Sequence, residues 1–251
     1  MMQKAPRLAF RIDRDRTAPP LAAGQVHVWI VWLNAFRHHA DAAVLDEIER
    51  MRAMRFRFDR DRIGFMTGRA MLRRILGVYL DLPPVEIPLR TGEHGKPELG
   101  PLPDRDALHF NVSHSGDLAL YAVTQEGPVG IDVEQMRPVS DLDGVADVVM
   151  SPRERAAFAA LDESDRPDFF HSTWVRKEAY LKASGDGLMR SPTLVEFGAL
   201  LGAEREPIRD LEDPHVAERW RCSAWRPERG YWSALVMPAS IDRAAIFDVL
   251  D

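Results

Sequence analysis

Gly127-Pro128-Val129-Gly130-Ile131-Asp132-Val133-Glu134 is the stretch on which the fold turns. The Gly-Pro pair signals a turn, and Val129 to Glu134 reads as a strand. Successive side chains of a strand alternate between faces, so Ile131 and Val133 face a core while Asp132 and Glu134 share the other side. Their Cα atoms then stand about 6.6 to 7 Å apart, close enough for both carboxylates to reach one ion.

On either side of this stretch the elements repeat. After a Pro- and Ala-rich lead-in, Val26 to Leu33 reads as a strand and Asp41 to Met54 as a helix. A second helix runs from Asp59 to Leu76 and ends near Gly77. Short strands broken by Thr91-Gly92 and Gly95-Lys96-Pro97 come next, then the strands Leu108 to Val112 and Leu118 to Val123. Past Gly127 the order recurs: the Val129 strand, helices from Ser151 to Leu161 and Arg166 to Ser184, and strands around Arg219 to Trp225 and Tyr231 to Val236. Ser151-Pro152-Arg153-Glu154 is a helix start, with serine as N-cap, proline in the first turn and glutamate at the capping-box position. Arg69-Ala70-Met71-Leu72-Arg73 can be laid over Glu178-Ala179-Tyr180-Leu181-Lys182. The pattern predicts a mixed α/β (α+β) protein of two similar subdomains, residues 1–127 and 128–251, related by a pseudo-twofold with a ligand cleft between them.

The helix Trp174-Val175-Arg176-Lys177-Glu178-Ala179-Tyr180-Leu181-Lys182 supplies the second half of a site. At about 100° per residue, Trp174, Lys177, Glu178 and Leu181 share a face, and Lys182 lies one turn beyond Glu178 on its flank. Taken singly, Asp132-x-Glu134 reads as a solvated sheet face and Glu178 with Lys182 as an ordinary i,i+4 pair. Together, three carboxylates and two ammonium groups suit a divalent cation holding a phosphate ester. The absence of Cys or His pairs at zinc spacing fits a hard, oxygen-bound ion.

Composition narrows the classes. The 251 residues are 45% apolar, enough for a real core, and carry a net charge of -6, which argues against a nucleic-acid partner held by a basic surface. The arginines from Arg50 to Arg74, interleaved with Met54, Phe56, Phe58 and Phe65, are read as cleft or surface groups, with the aromatics at helical spacing in the core. Cys222 is the lone cysteine, no signal-peptide pattern opens the chain, and the apolar run Val28 to Leu33 is too short to cross a bilayer. A cytoplasmic chain without membrane contact is expected.

A third segment makes the combination specific: Phe110-Asn111-Val112-Ser113-His114-Ser115-Gly116, running into Leu118 to Val123. With Gly-x-Asp-x-Glu at 130–134 and Trp-x-x-Lys-Glu-Ala-x-x-Lys at 174–182, in that order, the chain resembles the 4'-phosphopantetheinyl transferases of the two-domain, Sfp-like type. The resemblance takes in Gly68-Arg69-Ala70 and Gly95-Lys96-Pro97, runs from about Phe56 to Gly187, and is much weaker beyond Phe197.

That resemblance implies transfer of phosphopantetheine from coenzyme A to a serine of an apo acyl or peptidyl carrier protein, releasing adenosine 3',5'-bisphosphate. It implies Mg2+ as cofactor, with Asp132, Glu134 and Glu178 as its ligands and Glu178 as the group that deprotonates the serine. Lys182 would stabilise charge on the diphosphate, and Lys177 would help it or pair with a neighbouring carboxylate. Lys96, Pro97, Ser113 and His114 match family positions at the nucleotide end of coenzyme A, and Arg52 and Arg55 an upstream basic pair. The chain departs from the family at Gly64, where many members carry an arginine; Arg62 and Arg69 are the nearby replacements. A monomer is expected, with the carrier docked on an apolar patch rimmed by arginine, bordered by Asp104 to Leu108 and Met136 to Met150. The alternatives are a metal-dependent phosphodiesterase attacking with water and a protein that binds coenzyme A without turnover. A serine hydrolase is disfavoured, because Ser113 and His114 are sequence neighbours.

Overall fold

Strand residues that alternate between two cores set the architecture. The computed structural model describes residues 2, 5–12, 20–92, 95–102, 107–185, 187, 190–198 and 207–250. Its first half contains β1 (Arg7–Arg11), β2 (Gln25–Trp32), α1 (Glu47–Ala53), α2 (Asp59–Leu80), the short pair β3 (Leu89–Thr91) and β4 (Pro97–Leu99), then β5 (His109–Ser115) and β6 (Leu118–Thr124). Its second half contains β7 (Gly130–Gln135), α3 (Leu142–Val149), α4 (Pro152–Ala159), α5 (Arg166–Ser184), β8 (Val195–Glu196), β9 (Arg209–Asp210), α6 (Val216–Arg219), β10 (Trp220–Trp225), β11 (Tyr231–Pro238) and β12 (Arg243–Leu250).

Every residue of β6 is buried. Ala119, Tyr121 and Val123 point into one core with Trp29 and Val31 of β2, under Met71, Leu72, Ile75 and Leu76 of α2. Leu118, Leu120 and Ala122 point into the other with Val28 and Ile30, against Ile131 and Val133 of β7 and Leu235 of β11. The far face of the small sheet, Ala234 and Val236, is covered by Val175, Ala179 and Leu181 of α5. The layers therefore run helix, sheet, sheet, helix, and a sheet covered on both faces needs strands that are apolar throughout.

The strand order shows the internal repeat. β2-β6-β5 recurs as β7-β11-β10, and every pair in both sets is antiparallel. Each set is backed by one long helix, α2 or α5. The last strand leaves this scheme: β12 lies between β1 and β2, parallel to both, so the end of the chain completes the sheet of the first half.

Several elements differ from the sequence reading. The first helix begins at Asp46, whose side chain caps the Glu49 amide in a reciprocal capping box, and not at Asp41, which instead holds a turn through the Ala43 amide at 2.8 Å. Helix α2 runs through Gly77 to Leu80 and stops at Asp81, which adopts positive φ. Gly77 is there for closeness: a Cβ would stand 2.8 Å from the Leu82 carbonyl of the returning chain. Phe58, one of the aromatics expected in the core, is 60% exposed, as is Met54 nearby at 76%. Both fall between helices, Met54 at the C-cap of α1 and Phe58 at the N-cap of α2, outside the spacing that would turn them inward. The helices Pro152–Ala159 and Arg166–Ser184 form as read, the first with the Ser151–Glu154 box complete.

Candidate active site

Gly130 decides how closely the two halves of the site meet. A Cβ there would sit 2.0 Å from the Ala179 carbonyl and 2.6 Å from the Ala183 amide, so α5 lies with its backbone directly on β7. Only a glycine allows that approach. It brings the helix residues Glu178 and Lys182 over the strand residues Asp132 and Glu134.

Lys182 then reaches down: its Nζ stands 2.7 Å from Asp132 Oδ1, 3.1 Å from Ser113 Oγ and 3.3 Å from the Ile131 carbonyl. Ser113 donates to the same Asp132 oxygen at 2.8 Å. Asp132 is buried, Glu134 and Glu178 half-buried. Loss of solvent is the main reason that the Glu178 pKa is raised, with Asp132 and Glu134 adding repulsion and Lys182 opposing. Glu134 is raised chiefly by the same loss, against a 2.8 Å hydrogen bond from Ser115. The structure thus gathers Asp132, Glu134, Glu178 and Lys182 within one electrostatic neighbourhood.

Whether these residues fit a cation is tested by their spare oxygens. Among the described residues no three His, Cys, Asp or Glu side chains are grouped so as to hold a metal ion by themselves. Yet Asp132 Oδ2 and Glu178 Oε1 are buried with no hydrogen-bond partner. A buried carboxylate oxygen without a donor is costly, and a hard cation satisfies it. The donor set, carboxylate oxygens without nitrogen or sulfur, is of the kind that Mg2+ takes.

The remaining predicted residues divide. Lys96, at a turn where Gly95 takes positive φ, places Nζ 3.0 Å from the Lys182 carbonyl at the end of α5. Burial lowers its pKa, Glu98 opposes, and Lys182 adds to the lowering. Pro97 opens β4 beside it. Ser113 and His114 sit inside β5 and face opposite ways, the serine buried and the histidine exposed. That removes any nucleophile–base contact between them. The His114 pKa is lowered by desolvation and by Lys182, against Asp132.

Arg52 and Arg55 are exposed, and the Arg52 guanidinium borders Gly95. Arg62 pairs with Asp59 on the surface, whereas Arg69 is held by Glu49 at 3.3 Å and lies over the Phe65 ring. Arg69 is thus engaged inside the first half. Gly64 is open: a Cβ there would meet nothing within 4 Å, so the position has room for a side chain and supplies none.

Lys177 is not part of the cluster, which corrects the expectation that it shares the face of Glu178. It is fully buried, its ammonium bonded to Glu154 at 2.7 Å, to the Pro192 carbonyl at 2.8 Å and to the Val195 carbonyl. One residue is about 100° of helix rotation, enough to send Lys177 to a different layer from Glu178. Of the expected docking borders, residues 104–106 lie outside the described residues, while Val145 and Val148 of α3 are exposed at 39% and 70%.

Sequence reasoning missed Asn111 and Ser115. The Ile131, Val133 and Gln135 amides donate to Asn111 Oδ1, Ser113 Oγ and Ser115 Oγ at 3.0, 3.4 and 3.1 Å. The edge of β7 is therefore satisfied by side chains of β5. The signal was present as Asn111, Ser113 and Ser115 at every second position of one strand, which puts them on one face.

Comparison with known proteins gives the family. The profile of the 4'-phosphopantetheinyl transferase superfamily matches residues 128–236, and that of the 4'-phosphopantetheinyl transferase N-terminal region matches residues 29–126. The 4'-phosphopantetheinyl transferase HetI of Nostoc sp. (strain PCC 7120 / SAG 25.82 / UTEX 2576) is 40% identical over 172 residues, 68% of this chain and 73% of that protein. The chain belongs to the 4'-phosphopantetheinyl transferase superfamily. The transferase Sfp of Bacillus subtilis (strain 168) is 32% identical over 167 residues, 66% of this chain and 71% of its own length. Among solved structures, Thermotoga maritima holo-[acyl-carrier-protein] synthase is 26% identical over 43% of this chain and 61% of that one, with a TM-score of 0.34. The two matched regions abut at Gly127, the turn before β7. Among the described residues no helix of this transferase is long and apolar enough to cross a membrane.

Proposed function

We propose that this transferase moves the 4'-phosphopantetheine of coenzyme A to a serine of an apo acyl or peptidyl carrier protein in the cytoplasm, with Glu178 as the base and Lys182 as the cationic partner of the diphosphate. The observation that carries the reading is the orphaned Glu178 Oε1 next to the Lys182–Asp132 pair. A simple binding protein has no need of a half-buried carboxylate with one buried oxygen lacking a hydrogen-bond partner and a raised affinity for protons. Family membership favours an alcohol over water as the attacking group, and with it the transferase over the diesterase.

Asp132, Glu134 and Glu178 would hold Mg2+, which when bound neutralises charge on the diphosphate. The chain's own residues perform the remaining work. Glu178 accepts the proton of the incoming serine, a role worth about 10² to 10⁴ in rate, and a raised pKa makes it a stronger base than a solvated glutamate. Lys182 offers its ammonium to the developing charge as the diphosphate ester breaks. Lys96, His114, Arg52 and Arg55 are assigned to the nucleotide end, whereas the Ser113 hydroxyl is already filled by Asp132, Lys182 and the Val133 amide. The Lys96 ammonium, tethered to the last turn of α5, connects that end to the catalytic helix.

The carrier would approach over exposed apolar side chains. Val145 and Val148 of α3 are one such surface, and Ile48, Met51, Met54 and Phe58, interleaved with Arg52, Arg55 and Arg57, are another. Aliphatic and aromatic groups rimmed by guanidinium suit an acidic helix.

The test is direct. Purified protein, Mg2+ and coenzyme A are incubated with an apo carrier domain, and the carrier is weighed by mass spectrometry. One added phosphopantetheine is expected; hydrolysed coenzyme A with unmodified carriers of several types would point to the diesterase instead.

A further inference from the structure

Ser113 and Ser115 each do two jobs at once. Ser113 Oγ accepts the Val133 amide and donates to Asp132 Oδ1; Ser115 Oγ accepts the Gln135 amide at 3.1 Å and donates to Glu134 Oε2 at 2.8 Å. A serine hydroxyl has one proton to give and lone pairs to receive. A backbone amide can only donate, so once it occupies a lone pair the hydroxyl proton must go elsewhere. In both cases it goes to the carboxylate one residue earlier on β7. Strand periodicity repeats the unit at a spacing of two residues, and so fixes two carboxylates by one device.

Lys182 also holds Asp132, whereas Ser115 is the only hydrogen-bond partner recorded for the Glu134 carboxylate among the described residues. We propose that Ser115 is a positioning residue for the transfer reaction: it aims the Glu134 carboxylate toward the cation that Glu134 shares with Asp132 and Glu178. The proposal rests on the metal reading given above. Partners that hold a ligating carboxylate typically contribute 10- to 100-fold to metal affinity. The alternative is a purely structural serine that only closes the β5–β7 seam.

The test is Mn2+ binding to the full chain with coenzyme A present, followed by electron paramagnetic resonance, on wild type, Glu134→Gln, Ser115→Ala, Ser115→Cys and Ser115→Thr. Ser115→Ala and Ser115→Cys, both deprived of a good donor, are expected to weaken Mn2+ binding about 10- to 100-fold. Ser115→Thr, which keeps the hydroxyl, recovers it, and the KM for the carrier does not move. If Ser115→Ala does not fold, Ser115→Cys, which preserves the volume, decides. A folded donor-less variant with wild-type Mn2+ affinity overturns the proposal and leaves Ser115 as a seam residue. Failure of the metal reading looks different: neither wild type nor Glu134→Gln then binds Mn2+ measurably, and the proposal falls with it.

Discussion

At the scale of single residues, the site is made by what Gly130 lacks. Gly130→Ala must displace the α5 backbone, because the clash is with the Ala179 carbonyl and the Ala183 amide and not with a flexible side chain. We predict a loss of about 3 kcal/mol, the upper end for overpacking, together with loss of transfer, measured by urea denaturation and carrier modification. Glu178 carries a second prediction. A carboxyl with a folded-state pKa above its unfolded value stabilises the fold fully below the unfolded value, and that contribution is lost as pH rises through the folded one. Glu134 and Glu178 are both raised from 4.5, so metal-free protein should lose stability as pH climbs from about 4.5 through their ionisation. Glu178→Gln should flatten that slope and raise the thermal midpoint at neutral pH, by about 2 to 4 °C per kcal/mol recovered in a chain this long. Melts across a pH series decide it; a Glu178→Gln midpoint unchanged or lowered at pH 7 would contradict the assigned burial cost.

At the scale of elements, α5 sends its two lysines to different layers. Lys177 is the partner of buried Glu154, whose other oxygen receives the Phe197 amide at 2.9 Å. Lys177→Ala leaves that carboxylate uncompensated and should cost about 3 to 5 kcal/mol in denaturant melts. Lys182→Ala takes the ammonium from buried Asp132 and should lower the melt too, by less than Lys177→Ala because Lys182 is partly exposed, while kcat falls about 10²- to 10³-fold. The reverse pattern would exchange their assignments. Periodicity located α5, β6 and β7 because their hydrophobic spacing is strong and local. It left Lys177 open between the diphosphate and a neighbouring carboxylate, because the partners that decide it, on α4 and in the loop before β8, lie outside the helix. Nor did it reveal the β5–β7 seam, where side chains replace a backbone ladder.

At the scale of the whole molecule, the halves are a repeated unit joined sheet to sheet, and the chain closes on itself through β12. That strand was invisible in the sequence reading: its Ala-Ala-Ile-Phe run lacks clean alternation, and its partners lie near the start of the chain. Deleting 243–251 exposes the edge of β2 and removes Ile246 and Phe247 from opposite cores. Loss of the cooperative melt and of near-ultraviolet circular dichroism is expected; a native-like melt would show that β12 is dispensable. With the scaffold intact, the central claim is that Glu178, set against Asp132 and Lys182, performs the proton transfer. It is tested most directly by single-turnover modification of an apo carrier, wild type against Glu178→Gln, with coenzyme A binding followed in parallel. The account predicts a rate lowered by at least about 10² while the variant stays folded and still binds coenzyme A. A variant that loads the carrier at the wild-type rate would contradict it.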